Sequence, residues 1–73
     1  MPSDRGPRPG DIIIESDASG LYVITKADGE RIGTSADRRE AMRRACAAIR
    51  DSGARVWMHV KGNPGTYHEV LCP

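Results

Sequence analysis

At 73 residues the chain has room for one domain, and folding at this size hides only about 60% of the unfolded chain's surface. Eleven basic residues against ten acidic ones leave a net charge of +1, which excludes a global electrostatic case for nucleic acid, membrane or an acidic substrate. No apolar run approaches the roughly 20 residues that span a bilayer, and the N-terminus lacks a signal-peptide core, so the chain reads as a soluble, cytoplasmic protein.

Met1 to Gly10, with three prolines and two glycines, cannot build a core element and reads as a flexible tail ahead of a single domain over 11–73. Asp11 to Glu15, DIIIE, is a short β-branched run and hence a strand, and SDASG then turns the chain. Leu21 to Lys26 alternates, with Leu21, Val23 and Thr25 on one face and Tyr22, Ile24 and Lys26 on the other. Asp28-Gly29 is the signal of a two-residue hairpin, which predicts a third strand from Glu30 to about Thr34, with Thr25 facing Ile32 and Ile24 facing Gly33.

The element on which the others are expected to pack is Asp37 to Ser52, DRREAMRRACAAIRDS. Asp37 and Glu40 have the spacing of a capping box: the first carboxylate accepts from a free N–H of the first turn and the second reaches back. Gly53, without a Cβ, suits the left-handed residue that closes a helix. A 100° step per residue gathers Ala41, Met42, Ala45, Cys46, Ala48 and Ile49 on a buried face, with Arg39, Arg43 and Arg50 along one exposed flank.

Arg55 to Lys61 alternates again: Val56, Met58 and Val60 point to the core, and Arg55, Trp57, His59 and Lys61 away from it. Gly62-Asn63-Pro64-Gly65 is a turn, and Thr66 to Cys72 returns. Pairing Lys61 with Thr66 sets His59 opposite His68 and Trp57 opposite Val70. The expected fold is α+β: an antiparallel sheet of four to five strands in the order β-β-β-α-β-β, with one amphipathic helix on one face. The other face would carry Tyr22, Ile24, Lys26, Arg31, Arg55, Trp57, His59, Lys61, His68 and Val70.

Catalytic chemistry finds little footing. His59 and His68 as a cross-strand pair lack a third metal ligand, since Cys72 lies too far along and Glu69 points to the opposite face. Cys46 belongs to the core and Cys72 to a free end, which leaves no oriented Cys and His pair, and whether the two cysteines bridge is open. No phosphate loop is present. The expectation is therefore a module that is not an enzyme and takes no cofactor, metal or small-molecule substrate.

Two binding readings remain. Trp57, Tyr22, Ile24, His59 and Val70 would form an apolar centre on the open sheet face for a protein partner or a second copy of the chain. Nucleic acid would use Trp57 and Tyr22 as stacking platforms with Arg55 and Lys61 on phosphates, or the helical flank of Arg39, Arg43 and Arg50.

The succession Leu21-Tyr22-Val23, Asp28-Gly29-Glu30-Arg31, Asp37-x-x-Glu40-Ala41 and the run ending at His59 resembles a family of short bacterial domains of unknown function, across Leu21 to Glu69. Asp17 to Val23 and Asp37 to Ala41 are also similar to the antitoxin half of HicAB-type toxin-antitoxin pairs, which has a partial RNase-H-like fold. Both resemblances imply a small α+β fold and binding rather than catalysis, the second of them neutralisation of a partner.

Overall fold

The computed structural model describes residues 7–50, 52–60, 62–63 and 65–72. Five strands, β1 (Ile12–Ser16), β2 (Tyr22–Lys26), β3 (Arg31–Ser35), β4 (Val56–His59) and β5 (Tyr67–Val70), form one sheet with α1 (Arg38–Ala48) between β3 and β4 in sequence. The β-β-β-α-β-β order is as expected, but the sheet is mixed rather than antiparallel. Its order is β3-β2-β1-β4-β5, and β1 runs parallel to β4. Two hairpin reversals make β3 run the same way as β1, and the helix carries the chain back across the sheet, so β4 re-enters in that same direction.

β1 is thereby the central strand, and three consecutive isoleucines suit it. Ile12 and Ile14 are buried beneath α1, while Ile13 faces the other side and is half-buried. Ile14 stands opposite Ile24 on β2, and Val56 opposite Val70 on β5. With Ala41 and Ala45 of the helix, Ile12, Ile14, Ile24 and Val56 make the core, and Tyr22, Met42, Cys46, Ile49, Met58 and Val70 pack around it.

Two strands therefore present the opposite faces from those expected. In β2 it is Tyr22 and Ile24 that lie under the helix. Both faces of this strand carry apolar groups, and its partner Ile14 decides which one turns inward. Across β4 and β5 the ladder pairs His59 with Tyr67 and Met58 with His68, one residue out of step with the expected register, because the connection holds five residues rather than four. That slip carries Val70 to the helix side and parts the two histidines onto opposite faces.

The β2–β3 hairpin keeps Ile24 opposite Gly33, but the turn has three residues rather than two. Lys26 donates to the Glu30 carbonyl at 2.7 Å and Gly29 to that of Lys26 at 2.8 Å. Gly29 takes φ of 105°, and the ladder then shifts so that Thr25 faces Arg31.

Ser35 Oγ accepts from the Asp37 N–H, and the Asp37 carboxylate accepts from the Glu40 N–H at 3.2 Å, as its place at the N-cap requires. Glu40 does not reach back; its carboxylate takes Arg44 at 3.0 Å. The helix stops at Ala48, short of the expected Ser52, where Ile49 and Arg50 donate to the carbonyls of Cys46 and Ala47 and tighten the last turn. Asp51 lies outside the described residues, and Gly53, with φ of 74°, belongs to the following loop.

Cys46 and Cys72 are joined by a disulfide with their Cα atoms 5.7 Å apart, which ties α1 to the chain just past β5. Of the segment expected as a tail, residues 1–6 lie outside the described residues, and Arg8 is bound to Asp11 through backbone and carboxylate. No helix among the described residues is long and apolar enough to cross a membrane.

The two faces of β2 can be told apart by stability. Ile24→Ala removes a fully buried side chain from the core and should cost about 3 kcal/mol or more, whereas Val23→Ala on the opposite face should cost about 1 kcal/mol. Urea unfolding of both variants checks this, and equal losses would contradict the placement of Ile24 under α1.

Candidate functional site

The face of the sheet away from α1 does not carry the surface its residues first suggest. Trp57 is on this side but only 6% exposed. Its indole N–H donates to Asp11 Oδ2 at 2.8 Å, and Asp11 lies just before β1, two residues ahead of Ile13, the strand partner of Trp57. The same Asp11 carboxylate accepts the N–H of Arg8 at 3.0 Å and, through Oδ1, that of Arg55 at 3.0 Å. Burial would push this carboxyl up, but the three N–H donors and the nearby Arg55 charge outweigh it and hold it below its ordinary value of 3.8. Asp11 thus joins the turn before β1 and the start of β4, and the expected interface anchor is committed within the chain.

Of the other residues proposed for the open face, Tyr22, Ile24 and Val70 pack on the helix side. His59 is half-buried and meets Tyr67 edge-on, with ring centroids 5.4 Å apart. Lys61 lies outside the described residues. Arg55 pairs with Glu69 at 3.6 Å, and Glu15 offsets Arg31, which stands opposite Thr25 on the same face, so the described part of this surface is balanced in charge rather than basic.

The Arg flank of the helix has a different setting. α1 packs on β1, β2, β3 and β4, and β5 stands outside its main footprint, which leaves a groove between the helix and the end of β5. Arg38, Arg39 and Arg43 line it from the helix and Arg50 from just past its end, with Met42 and Ile49 between them. Val70, Leu71 and Cys72 form the far lip. Leu71 is 84% exposed. Among the described residues none of the four guanidiniums has an ion pair, and the one carboxylate lining the groove, Asp37, is occupied as the helix cap.

The groove brings together Arg39, Arg43 and Arg50 from the expected set and separates them from Arg55, which sits on the opposite face of the sheet. Arg38 and Leu71 are outside the expected set, and Met42 and Ile49, expected as core contacts of the helix, also line the groove. Arg38 precedes the flank by less than a turn, and Leu71 matters only because the β5 register and the disulfide carry it to the helix. The signal for Asp11 was present, an acid directly before the isoleucine run, but its partners lie 44 and 46 residues away. No family model, curated protein or solved structure matches the chain, so neither resembling family gains support beyond the element order.

Asp11→Asn keeps the shape but must set an NH2 against at least one of the three N–H donors, at about 1–3 kcal/mol. The wild-type carboxyl titrates lower folded than unfolded. Its stabilisation is therefore complete above the unfolded value near 3.8 and lost as the pH falls through it towards the folded one. The variant should be less stable at neutral pH, lose less on acidification, and expose Trp57 to acrylamide. Full stability with a still-shielded indole would contradict the clamp.

Proposed function

We propose that the chain is a non-enzymatic protein-binding module that docks an acidic segment, carrying at least one apolar side chain, in the groove between α1 and the end of β5. The observation that carries this reading is the set of four guanidiniums without ion pairs among the described residues, lined up beside Met42, Ile49 and an exposed Leu71. Unpaired positive charge around an apolar strip complements a partner with carboxylates around an aliphatic or aromatic side chain.

Three features favour this occupant over others. A nucleic-acid strand would want flat aromatic groups for its bases, and the groove has none, since Trp57 is buried on the far face and Tyr22 lies under the helix. A second copy docked groove to groove would set the same four guanidiniums against each other. Among the described residues no Cys and His pair is assembled for catalysis: His59 and His68 point to opposite faces, and the two thiols are joined to each other. Both family resemblances also point to binding, and kinship with either belongs to this proposal only to that extent.

The test is fluorescence polarisation with a labelled peptide of repeated Glu-Glu-Leu units, a companion with each Leu replaced by Ser, and a single-stranded oligonucleotide of equal charge. The expected result is binding of the first peptide that weakens with salt, and a loss of about tenfold or more for Arg39→Glu combined with Arg43→Glu and for the Ser companion. Absence of binding, or tighter binding of the oligonucleotide at matched salt, would overturn the reading.

A further inference from the structure

We infer that the Cys46–Cys72 disulfide is a redox latch on this groove: closed, it holds the far lip in place for an acidic segment, and opened by a dithiol reductant it releases the lip and the bound segment. The inference rests on the docking reading above and assigns the control of that same site.

The geometry points to it because the far lip has so little else to hold it. β5 ends at Val70, which has one strand partner, Val56, since β5 is the edge of the sheet. Leu71 and Cys72 follow outside the ladder and both are exposed. With β5 outside the main footprint of α1, the bridge is the covalent link between the helix and this end of the chain. A segment that leaves an edge strand without strand pairing of its own opens locally unless it is tied down.

The chemistry is also favourable. Cys72 is exposed and Cys46 half-buried, so an incoming thiolate reaches the Cys72 sulfur and forms a mixed disulfide, and the S–S bond breaks with its electron pair going to Cys46. Arg43 and Arg50, one turn to either side of Cys46 and lining the same groove, offer positive charge to that leaving thiolate. The second thiolate of the reductant then displaces Cys72. Two electrons have entered the bridge, the two sulfurs take up two protons, and the dithiol has become a disulfide.

The hydrogen bonds that join β1 to β4 on the far face involve neither cysteine. Asp11 clamps Arg8, Arg55 and Trp57 on the far face, so opening is local, and Trp57 fluorescence reports whether the sheet stays intact.

The experiment compares the full chain oxidised and after treatment with dithiothreitol, with opening verified by a mass gain of two hydrogens. The measurements are amide hydrogen exchange over 67–72, polarisation with the labelled Glu-Glu-Leu peptide, and Trp57 emission. Expected are exchange in that segment and peptide Kd both raised about tenfold or more, native emission, and recovery on reoxidation. Cys46→Ala combined with Cys72→Ser should reproduce the reduced behaviour in the absence of reductant. Equal peptide affinity in the two forms overturns the latch, and so does global unfolding on reduction, because the release is then not local. Failure of the peptide to bind either form overturns the docking reading instead, and unchanged exchange over 67–72 in that case removes the latch as well.

Discussion

Ile14, Ile24, Val56, Ala41 and Ala45 are completely buried in one cluster, and the two alanines let the helix backbone come close to the sheet where larger side chains would hold it off. This contact sits over β2 and β1, in the middle of the sheet. One short helix seated there reaches β3 on one side and β4 on the other, and cannot also cover β5. The partial exposure of Val70 and Ile49, and the groove between them, follow from where the alanines lie. A larger residue at Ala45 would disturb the core first and the groove through it.

A domain this small has few apolar groups to spare, and it reinforces both sides of the sheet by other means. On the open side, Trp57 is large enough to cover part of the sheet by itself, and its one polar atom is satisfied by Asp11. On the helix side, the disulfide closes a sequence separation of 26 residues, which in the chain-entropy account is worth about 3 to 4 kcal/mol against the unfolded state. The two devices act on different parts of the sheet, one at the start of the central strand β1 and the other beyond the edge strand β5.

How much of this was legible from the residues depended on whether the signal was local. The Asp37 cap, the apolar helical face, the Asp28-Gly29 reversal and the inward set of Val56 and Met58 involve neighbours within a few positions and can be read directly, except that Ala48, expected on the buried face, is exposed at the helix end. Faces settled by distant partners could not be. In YVITK both alternations offer apolar groups, and Ile14 decides between them; one extra residue in the β4–β5 loop turns Val70 over. The parallel pairing of β1 with β4 depends on the path of the helix. The burial of Trp57 depends on a carboxylate 46 positions away, so a residue that reads as an exposed anchor is an internal one.

The near-neutral charge of the chain conceals how unevenly its charges are used. Asp11, Asp17, Asp28 and Asp37 each accept backbone N–H groups in turns or at the helix cap, which commits these carboxylates to holding the fold. Glu30, Glu40 and Glu69 are paired with Lys26, Arg44 and Arg55. The acids are thus largely consumed locally, while Arg38, Arg39 and Arg43 of α1 and Arg50 just past its end have no carboxylate partners among the described residues. Surface guanidiniums in that state lose little solvation by waiting for an anion and gain when one arrives beside an apolar strip that also needs cover. A net charge of +1 is therefore compatible with a strongly basic groove, because the negative charge that balances it is spent on the backbone elsewhere.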